Sequence, residues 1–277
     1  MGYYSQRRPG LTPGNLTYKM KNNFLLPSQA QIKKWTRLTD NKFRREEGLF
    51  PAEGVKVVAE LLVSSWQAQA ILLLPEKRKY WEKILPAVPA VPAYELSRAQ
   101  WQKISQDKEP EGIMALVAMQ REPSLADYLI SASGNILILH EISNPDNLGA
   151  LTRSALWFGF NNIILSAGSA EHTHPKAVRS SMGSMFHLNI IADIYLQKAL
   201  PEIKKSHHLV GSDVRRGIAP HRQQKKTALL LGSESHGLPD DLLAIVDEQW
   251  SIPGSGKAES LSLPQAAAIM MYESTKQ

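Results

Sequence analysis

The chain has 277 residues, of which 43% are hydrophobic and none is cysteine. Disulfide bonds, thiolate zinc sites and cysteine nucleophiles are therefore excluded, whereas the apolar content is sufficient for two domains of ordinary size. The formal net charge of +6 favours a polyanionic partner without requiring one. No apolar run approaches the length of a membrane span, and we expect a cytoplasmic protein with no membrane partner.

Residues 1–27 are polar, rich in glycine and proline and dotted with aromatic residues, which predicts a flexible N-terminal arm. They contain no apolar stretch of the kind that makes a signal peptide. A domain-like pattern begins soon after Met20. The segment is therefore either a basic arm that contacts RNA or the result of a start codon assigned too far upstream.

Strand and helix patterns alternate through residues 28–119, which predicts a small α/β domain. A helical pattern begins at Ser28. The later stretches are a strand, turn and helix in "LFPAEGVKVVAELLVSSW", a buried strand in "AQAILLLP", a helix in "EKRKYWEKIL", an extended connection in "AVPAVPAYELS", a helix in "RAQWQKIS" and a strand in "GIMALVAM".

Residues 120–134 are polar and contain a proline, so we interpret them as a linker to a second domain over residues 135–277. The strands expected there are "ILILH", "NIILS", "HLNII", "HLVGSD", "TALLLG" and "QWSIP". Continuous apolar strands separated by helices predict a mostly parallel sheet that is covered on both faces.

Three glycine-bearing turns follow strands of this second domain, at the edge where α/β sheets bind ligands. In "EISNPDNLGALTRSALWFGF", Asn147 is positioned to cap a helix that also carries Gly149 and Arg153. By itself this stretch is most simply an ordinary capped helix with a surface arginine. In "LLLGSESHGLPDDLL", Gly232 ends a strand and Glu234 starts a turn. The dinucleotide fingerprint is absent because Glu234 occupies the place of its second glycine, and a generic strand-to-helix turn remains an alternative.

The third turn lies in "SIPGSGKAESLSLPQAAAIMMYE" and superficially resembles a phosphate-binding loop. A P-loop requires a glycine five residues before the Gly-Lys pair and a serine or threonine after the lysine. Ser251 and Ala258 occupy those positions. The stretch therefore lacks both the glycine that shapes the turn and the hydroxyl that binds magnesium, so a nucleoside triphosphate site is excluded.

Taken together and in this order, the three stretches resemble the signature motifs of the SpoU (TrmH-like) branch of the SPOUT methyltransferases. Those motifs are Asn-x-Gly-x-x-x-Arg, Gly-x-Glu-x-x-Gly and Ile-Pro-Met-x-Gly-x-x-x-Ser-Leu-Asn-Val. The resemblance runs from about Asn135 to Glu273 and includes "HPKAVRSSMGSMFHLNI". Residues 28–119 are similar, more loosely, to the L30e-like substrate-binding domain that often precedes the SPOUT domain.

The resemblance implies an α/β fold in which a mostly parallel sheet contains a deep trefoil knot, preceded by the smaller L30e-like domain. It also implies a homodimer formed through the C-terminal domain. The activity it implies is transfer of the methyl group of S-adenosylmethionine to a ribose 2′-hydroxyl of rRNA or tRNA. The alternative is a catalytically silent RNA-binding protein that retains the knotted fold.

The resemblance assigns catalytic positions to Asn147, Arg153, Glu234 and Ser262. It assigns cofactor contacts to Gly232, Ile252, Gly256 and Leu261. A guanidinium is protonated at physiological pH, so Arg153 is expected to orient the nucleophile rather than to act as a base. Departures from the family pattern are Ser262 in place of the usual asparagine, Gly254 in place of methionine, and Pro264.

Two other groups of residues suggest sites. The loop "RRGIAPHRQQKK" carries five basic residues that either contact phosphates or form a solvated loop: Arg215, Arg216, Arg222, Lys225 and Lys226. Histidines at 172, 174, 207 and 208 suggest a metal site, but carboxylate or cysteine ligands at suitable spacing are missing, so we expect no metal.

Overall fold

The computed structural model describes residues 24–84, 91–255, 257 and 260–276. Most of the expected N-terminal arm and part of the proline-spaced connection lie outside these ranges. We refer to residues 24–119 as the N-terminal half and to residues 120–276 as the C-terminal half. No helix within the described ranges is long and apolar enough to cross a membrane.

The N-terminal half is a sheet with helices packed around it. Its helices are α1 Gln29–Thr36, α2 Asn41–Glu47, α3 Val55–Leu62, α4 Arg78–Trp81 and α5 Arg98–Ile104. Its strands are β1 Leu49–Glu53, β2 Ala68–Leu73, β3 Ala93–Glu95 and β4 Ile113–Ala118, in the order β1-β4-β2-β3. Strand β4 is antiparallel to both β1 and β2, whereas β3 is parallel to β2.

Local sequence signals account for these elements. Ser28 and Gln31 form a capping box at the start of α1, and Ser97 and Gln100 form another at the start of α5. Pro51 lies within β1, where its missing N–H is tolerated because β1 is the outer strand of the sheet. The predicted strands of this half are confirmed, and "EKRKYWEKIL" forms a 3-10 turn followed by the short helix α4. Strand β3 was not predicted, because it lies in the stretch interpreted as an extended connection.

The C-terminal half contains a parallel sheet in the order β10-β8-β9-β5-β6-β7. The strands are β5 Ile136–Leu139, β6 Asn162–Ser166, β7 Asn189–Ile194, β8 His208–Ser212, β9 Thr227–Leu231 and β10 Glu248–Trp250. The helices are α6 Leu125–Ser131, α7 Pro145–Trp157, α8 Pro175–Ser180, α9 Leu196–Lys204, α10 Asp240–Leu243 and α11 Leu263–Thr275. Strands β5, β6 and β9 are buried along their whole length, as expected for a sheet covered on both faces.

The segment predicted as a linker contains helix α6. Tyr128 on this helix is completely buried, and its hydroxyl lies 3.1 Å from the carbonyl oxygens of Ile163 and Asn189. A buried phenol needs such a partner, and these two carbonyls belong to neighbouring strands of the C-terminal sheet. The segment is therefore not an extended connection over its whole length, because α6 is part of the core of the C-terminal half.

The two halves share one hydrophobic cluster. Phe186 from the C-terminal half packs against Phe50 and Trp66, with ring centroids 6.5 and 5.8 Å apart. Two other residues of the C-terminal half, Val178 and Met185, are buried in the same cluster. A continuous apolar core of this kind holds the two halves in one arrangement.

Ion pairs reinforce this contact. The guanidinium of Arg44 is buried and pairs with Glu171 across the junction, and Arg45 donates from Nε to the same carboxylate at 2.9 Å. His187 Nε2 lies 2.7 Å from Glu60 Oε2. Partial burial acts to raise the pKa of Glu60, but hydrogen bonds from Lys56 and His187 hold this pKa below its usual value.

Candidate active site

The three motif regions meet at one edge of the C-terminal sheet. The first motif follows β5, the second follows β9 and the third follows β10. The described strands of this sheet are parallel, so their carboxyl ends point to the same edge. In α/β proteins this is the edge that binds ligands.

Helix α7 begins earlier than the sequence suggests. Asn144, not Asn147, is the N-cap residue: its Oδ1 accepts a hydrogen bond from the backbone N–H of Asp146 at 2.9 Å, and Pro145 occupies the first helical position. The predicted capping role of Asn147 was therefore wrong. Asn147 lies in the first turn instead, which leaves its side chain available for another contact.

That contact joins the first motif to the second. The side-chain amide of Asn147 donates a hydrogen bond from Nδ2 to Oε1 of Glu234. Glu234 is exposed at the start of the turn after β9, and Gly237 closes this turn with a φ of +67°. Two residues that the sequence assigned to one site are thus in direct contact, although the chain between them is long.

Gly149 has a packing role. A Cβ atom added to this glycine would lie 1.9 Å from Ser180 Oγ, 2.5 Å from the carbonyl oxygen of Ala177 and 2.7 Å from the backbone nitrogen of Ser181. Helix α7 therefore approaches α8 more closely than any side chain at this position allows. The glycine of the first motif fixes the packing of the helix that carries Asn147 and Arg153.

Arg153 lies further along α7, and its side chain is exposed. Among the residues that the structure describes, it forms no hydrogen bond and no ion pair. Trp157 follows it by one turn and is 82% exposed. The guanidinium is therefore free to bind a polar or anionic group from outside the described chain.

The proposed cofactor contacts are backbone groups at the same edge. Gly232 is buried directly after β9, Ile252 follows β10 and packs against the core, and Leu261 precedes α11. Over the described ranges, the backbone N–H and C=O groups of these three residues form no hydrogen bond to the protein. Gly256 lies outside the described residues. An unpaired backbone group is a ready donor or acceptor for a ligand.

Ser262 is the N-cap residue of α11, but its exposed hydroxyl makes no capping hydrogen bond. Pro264 stands in the first turn of α11, where the missing N–H removes no helical hydrogen bond. The proline is therefore compatible with the helix start. At Gly254, an added Cβ would meet no atom within 4 Å, so the glycine is not required by packing among the described atoms.

The basic loop is divided between two edges of the sheet. Arg215 and Arg216 come soon after the carboxyl end of β8, whereas Lys225 and Lys226 directly precede the start of β9. All four side chains are exposed. Arg215 and Arg216 therefore belong to the edge that carries the three motifs, whereas the two lysines belong to the opposite edge. Arg222, between them in the chain, is also exposed.

The histidines suggested by the sequence serve other purposes. His174 caps α8, where its Nδ1 accepts from the backbone of Lys176 at 3.2 Å. His207 Nε2 lies 3.0 Å from the carbonyl oxygen of Gly134. Burial lowers the pKa of His172 to about 4, which keeps this ring neutral at physiological pH.

A cleft between the halves was missed by the sequence reasoning. It has a volume of about 350 Å³ and is lined by Glu53 and Asp107 from the N-terminal half and by Asp146, Lys176 and Arg179 from the C-terminal half. Arg179 Nη2 lies 2.7 Å from Asp107 Oδ2 across the cleft. Burial raises the pKa of Glu53, partly opposed by hydrogen bonds from Ser105 and Trp101. The sequence signal was the segment "HPKAVRSSMG", whose basic residues we did not assign.

Comparison with known proteins identifies both halves. Residues 134–272 match the SpoU rRNA methylase family, and residues 29–115 match the MRM3-like substrate-binding domain. The 23S rRNA (guanosine(2553)-2′-O)-methyltransferase RlmP of Bacillus subtilis is 28% identical over 247 residues, covering 87% of this chain and 94% of that protein. The 23S rRNA (uridine(2479)-2′-O)-methyltransferase of Streptomyces viridochromogenes is 25% identical, with 90% of each chain covered.

Among solved structures, the AdoMet-bound rRNA methyltransferase of Sinorhizobium meliloti superposes with a TM-score of 0.76 at 25% identity. The match covers 90% of this chain and 95% of that chain, so it includes both halves. The fold, the paired motifs at the sheet edge and the match over residues 134–272 agree with one another. The chain belongs to the SpoU rRNA methylase family.

Proposed function

We propose that this protein transfers a methyl group from S-adenosylmethionine to a ribose 2′-hydroxyl of RNA, with rRNA as the preferred class over tRNA. The observation that carries the proposal is the hydrogen bond between Asn147 and Glu234, which joins the first two motifs at the ligand-binding edge. The relatives named as 23S rRNA 2′-O-methyltransferases support the choice of substrate.

The residues present fit the cofactor. Backbone groups of Gly232, Ile252 and Leu261 have no protein partner in the described ranges and would hold its adenosine and methionine parts, together with Gly256. A Cβ added at Gly254 would meet no described atom within 4 Å, which leaves room for a ligand beside this part of the loop. When bound, S-adenosylmethionine supplies a methyl group already activated on a sulfonium sulfur.

The protein then has to position a poor nucleophile. Arg153 is exposed, charged and unpaired among the described residues, so it can orient the 2′-hydroxyl and hold a neighbouring phosphate through its planar donors. Asn147 and Glu234 fix the two loops on either side. Ser262 supplies one short hydroxyl at the start of α11. The 2′-oxygen would form its bond to the methyl carbon as the carbon–sulfur bond breaks, the electron pair would remain on sulfur as a neutral thioether, and the hydroxyl proton would pass to solvent.

The knot belongs to the proposal. Strand β10 is the last strand at one side of the sheet, whereas the following helix α11 packs against α7 and β9 near the middle. The chain therefore returns from an outer strand to the middle of the sheet after β10, and a deep trefoil knot is the form of this return that we propose. The match to a substrate-binding domain supports an L30e-like N-terminal domain over residues 28–119, ahead of a SPOUT domain over residues 135–277.

A homodimer is also part of the proposal. The outer surface of α7 and α11 presents Trp157, Ile269 and Tyr272, which are 82%, 39% and 53% exposed. Exposed apolar side chains on two adjacent helices are typical of an interface. A second copy of this chain packing there would bring its residues close to Arg153, one turn from Trp157. The setting that fits rRNA methylation is the cytoplasm.

The test is methyl transfer from labelled S-adenosylmethionine to bulk RNA, followed by nucleoside analysis for 2′-O-methyl products. Cofactor affinity is measured in parallel by calorimetry. Arg153→Ala is expected to keep wild-type cofactor affinity while transfer falls by orders of magnitude, since its side chain acts mainly in the transition state. Arg121→Ala, which changes another exposed arginine outside the motifs, is the matched control.

Two outcomes contradict the proposal. A wild-type protein that binds RNA and cofactor without transferring methyl is the catalytically silent alternative. Near wild-type turnover of Arg153→Ala refutes the assigned role of this arginine.

A further inference from the structure

We propose that a surface of the N-terminal half binds a single-stranded segment of the substrate RNA by stacking a base on Tyr80. This Tyr80 surface consists of Lys77, Arg78, Lys79, Tyr80 and Lys83. The inference rests on the proposed function and identifies a second surface, outside the methyl-transfer site, that binds the substrate RNA.

The exposure of Tyr80 is a consequence of how α4 is anchored. The next residue, Trp81, is only 1% exposed, donates from Nε1 to the carbonyl oxygen of Leu74 at 3.1 Å and meets the ring of Phe24 edge-on. Successive residues of a helix point about 100° apart, so burying Trp81 turns its neighbour away from the core. Tyr80 is 45% exposed, and a base that stacks on its ring takes the place of a flexible lysine side chain over it.

Positive charge surrounds this ring. The ammonium groups of Lys77 and Lys79 lie 5.6 and 4.9 Å from the ring centroid of Tyr80. The two acidic residues of the segment are already paired: Glu76 contacts Arg98 at 2.6 Å, and Glu82 contacts Arg78 at 3.5 Å.

The lysines of the surface have no such partner. Among the described residues, neither of these two lysines nor Lys83 pairs with a carboxylate. An aromatic face flanked by unpaired cations is the combination that single-stranded RNA requires, because bases stack and phosphates need counter-charges.

The Tyr80 surface lies at the end of the N-terminal sheet that also borders the cleft. It follows the carboxyl end of β2, where Leu73 pairs with Ile113 at the start of β4. The neighbouring pair is Glu53 with Met114, and both of these residues line the interdomain cleft.

The other wall of the cleft leads to the active site. Asp146 lines that wall and directly precedes Asn147, and Lys176 and Arg179 lie on the same wall. The Tyr80 surface and the active site therefore lie beyond opposite walls of the cleft, and an RNA long enough to pass the cleft can contact both.

The stacking mode predicts a preference for unpaired RNA. A duplex keeps its bases stacked on one another and cannot offer a base face to a surface side chain, so its affinity depends on charge alone. A loop or end of a folded RNA can offer one. The surface should therefore discriminate single strands from duplexes of the same length.

The experiment uses the full chain and a fluorescent single-stranded RNA of about 20 nucleotides, with the duplex of the same sequence as comparison. Tyr80→Ala is expected to weaken single-strand binding by roughly fivefold or more, the usual range for losing one stacked base, and to leave duplex binding unchanged. Tyr80→Phe should bind like the wild type, because the ring remains. Tyr195→Ala, which removes another exposed tyrosine, is the matched control.

Two further measurements test the role of the lysines in RNA binding and separate RNA binding from catalysis. Replacing Lys77 and Lys79 by glutamine should reduce the slope of log affinity against log salt concentration by about 0.7 for each phosphate that the variant no longer neutralises. In methyl transfer to bulk RNA, Tyr80→Ala should raise KM and leave kcat and the affinity for S-adenosylmethionine unchanged.

Wild-type single-strand affinity and wild-type KM in Tyr80→Ala overturn the inference while leaving the proposed function intact. Failure of the wild-type protein to bind RNA overturns both, whereas RNA binding without methyl transfer overturns the proposed function alone. Equal weakening in Tyr80→Ala and Tyr80→Phe would show that the ring does not stack a base.

Discussion

Substitution of Gly149 by alanine tests whether the first motif works through packing. Two effects oppose each other. Alanine stabilises a helix interior by up to about 1 kcal/mol relative to glycine. Its Cβ would also lie 2.5 Å from the carbonyl oxygen of Ala177 and 2.7 Å from the nitrogen of Ser181. Both atoms are backbone, so α7 and α8 have to move apart.

The balance of these effects is destabilising. Overpacking usually costs about 1 to 3 kcal/mol, and contacts with backbone belong at the upper end of that range. The net loss is therefore about 2 kcal/mol, which corresponds to a fall in melting temperature of roughly 5 °C for a chain of this size. The contact with Ser180 Oγ at 1.9 Å can be relieved, since a hydroxyl can rotate or be removed.

Thermal and urea unfolding of Gly149→Ala, with Gly254→Ala as control, provide the measurement. An added Cβ meets nothing within 4 Å at Gly254, so the control should unfold like the wild type. Adding Ser180→Ala to Gly149→Ala should recover only part of the lost stability, because the backbone contacts remain. Wild-type stability of Gly149→Ala, or complete recovery in the double variant, would refute the packing role.

The remaining predictions concern other sites. Ser262→Ala should lower methyl transfer about fivefold, as expected for one lost hydrogen bond, whereas Ser262→Asn should preserve or raise it. Loss of transfer in a folded, cofactor-binding Ser262→Asn protein would contradict the roles given to the other motif residues. A fragment of residues 125–277 should still dimerise and bind S-adenosylmethionine but lose most of its RNA affinity. It should also bind an apolar dye, because removal of the N-terminal half exposes Phe186. RNA binding equal to that of the full chain would contradict this prediction. The pKa of His172 is about 4 in the folded protein, compared with 6.5 for an ordinary histidine. Between these pH values only the unfolded state binds a proton at His172, so the free energy of unfolding falls as the pH is lowered. Urea unfolding of His172→Leu should show up to about 3 kcal/mol less loss of unfolding free energy between pH 6.5 and 4 than the wild type. His236→Leu is the control. A pH profile of His172→Leu equal to that of the wild type would contradict burial of the ring.

Much of the C-terminal half could be read from its sequence because its strands are continuous apolar runs bounded by turn residues. The one clear shift concerns "HLNII": the strand begins at Asn189 because residues Ser184–His187 form a 3-10 turn. Strand order was not predictable from these runs, since nothing in a buried strand specifies its neighbours. The position of β10 beside β8 is such a case.

The sequence indicated candidate residues of the site, but not the contacts that these residues make. Asn147 and Glu234, which the motifs assign to one site, are in contact. The capping role given to Asn147 was wrong because Asn144 caps the helix and Pro145 occupies its first position. The contact of Gly149 with α8 depends on how two helices cross, and no local pattern encodes that. The interdomain cleft depends on how two separate sequence regions dock.

The hydrophobic cluster shared by the two halves fixes the position of the N-terminal half relative to the C-terminal half. Phe186 packs against Phe50 and Trp66, so any hinge here would have to pull an aromatic ring out of a packed interior. With RNA bound at the Tyr80 surface as we propose, a junction without a hinge sets a single distance between the bound nucleotide and the ribose that is methylated. The target is then chosen by the shape of the RNA between two contact points, and deleting one base pair between them would bring a different ribose, or none, to Arg153.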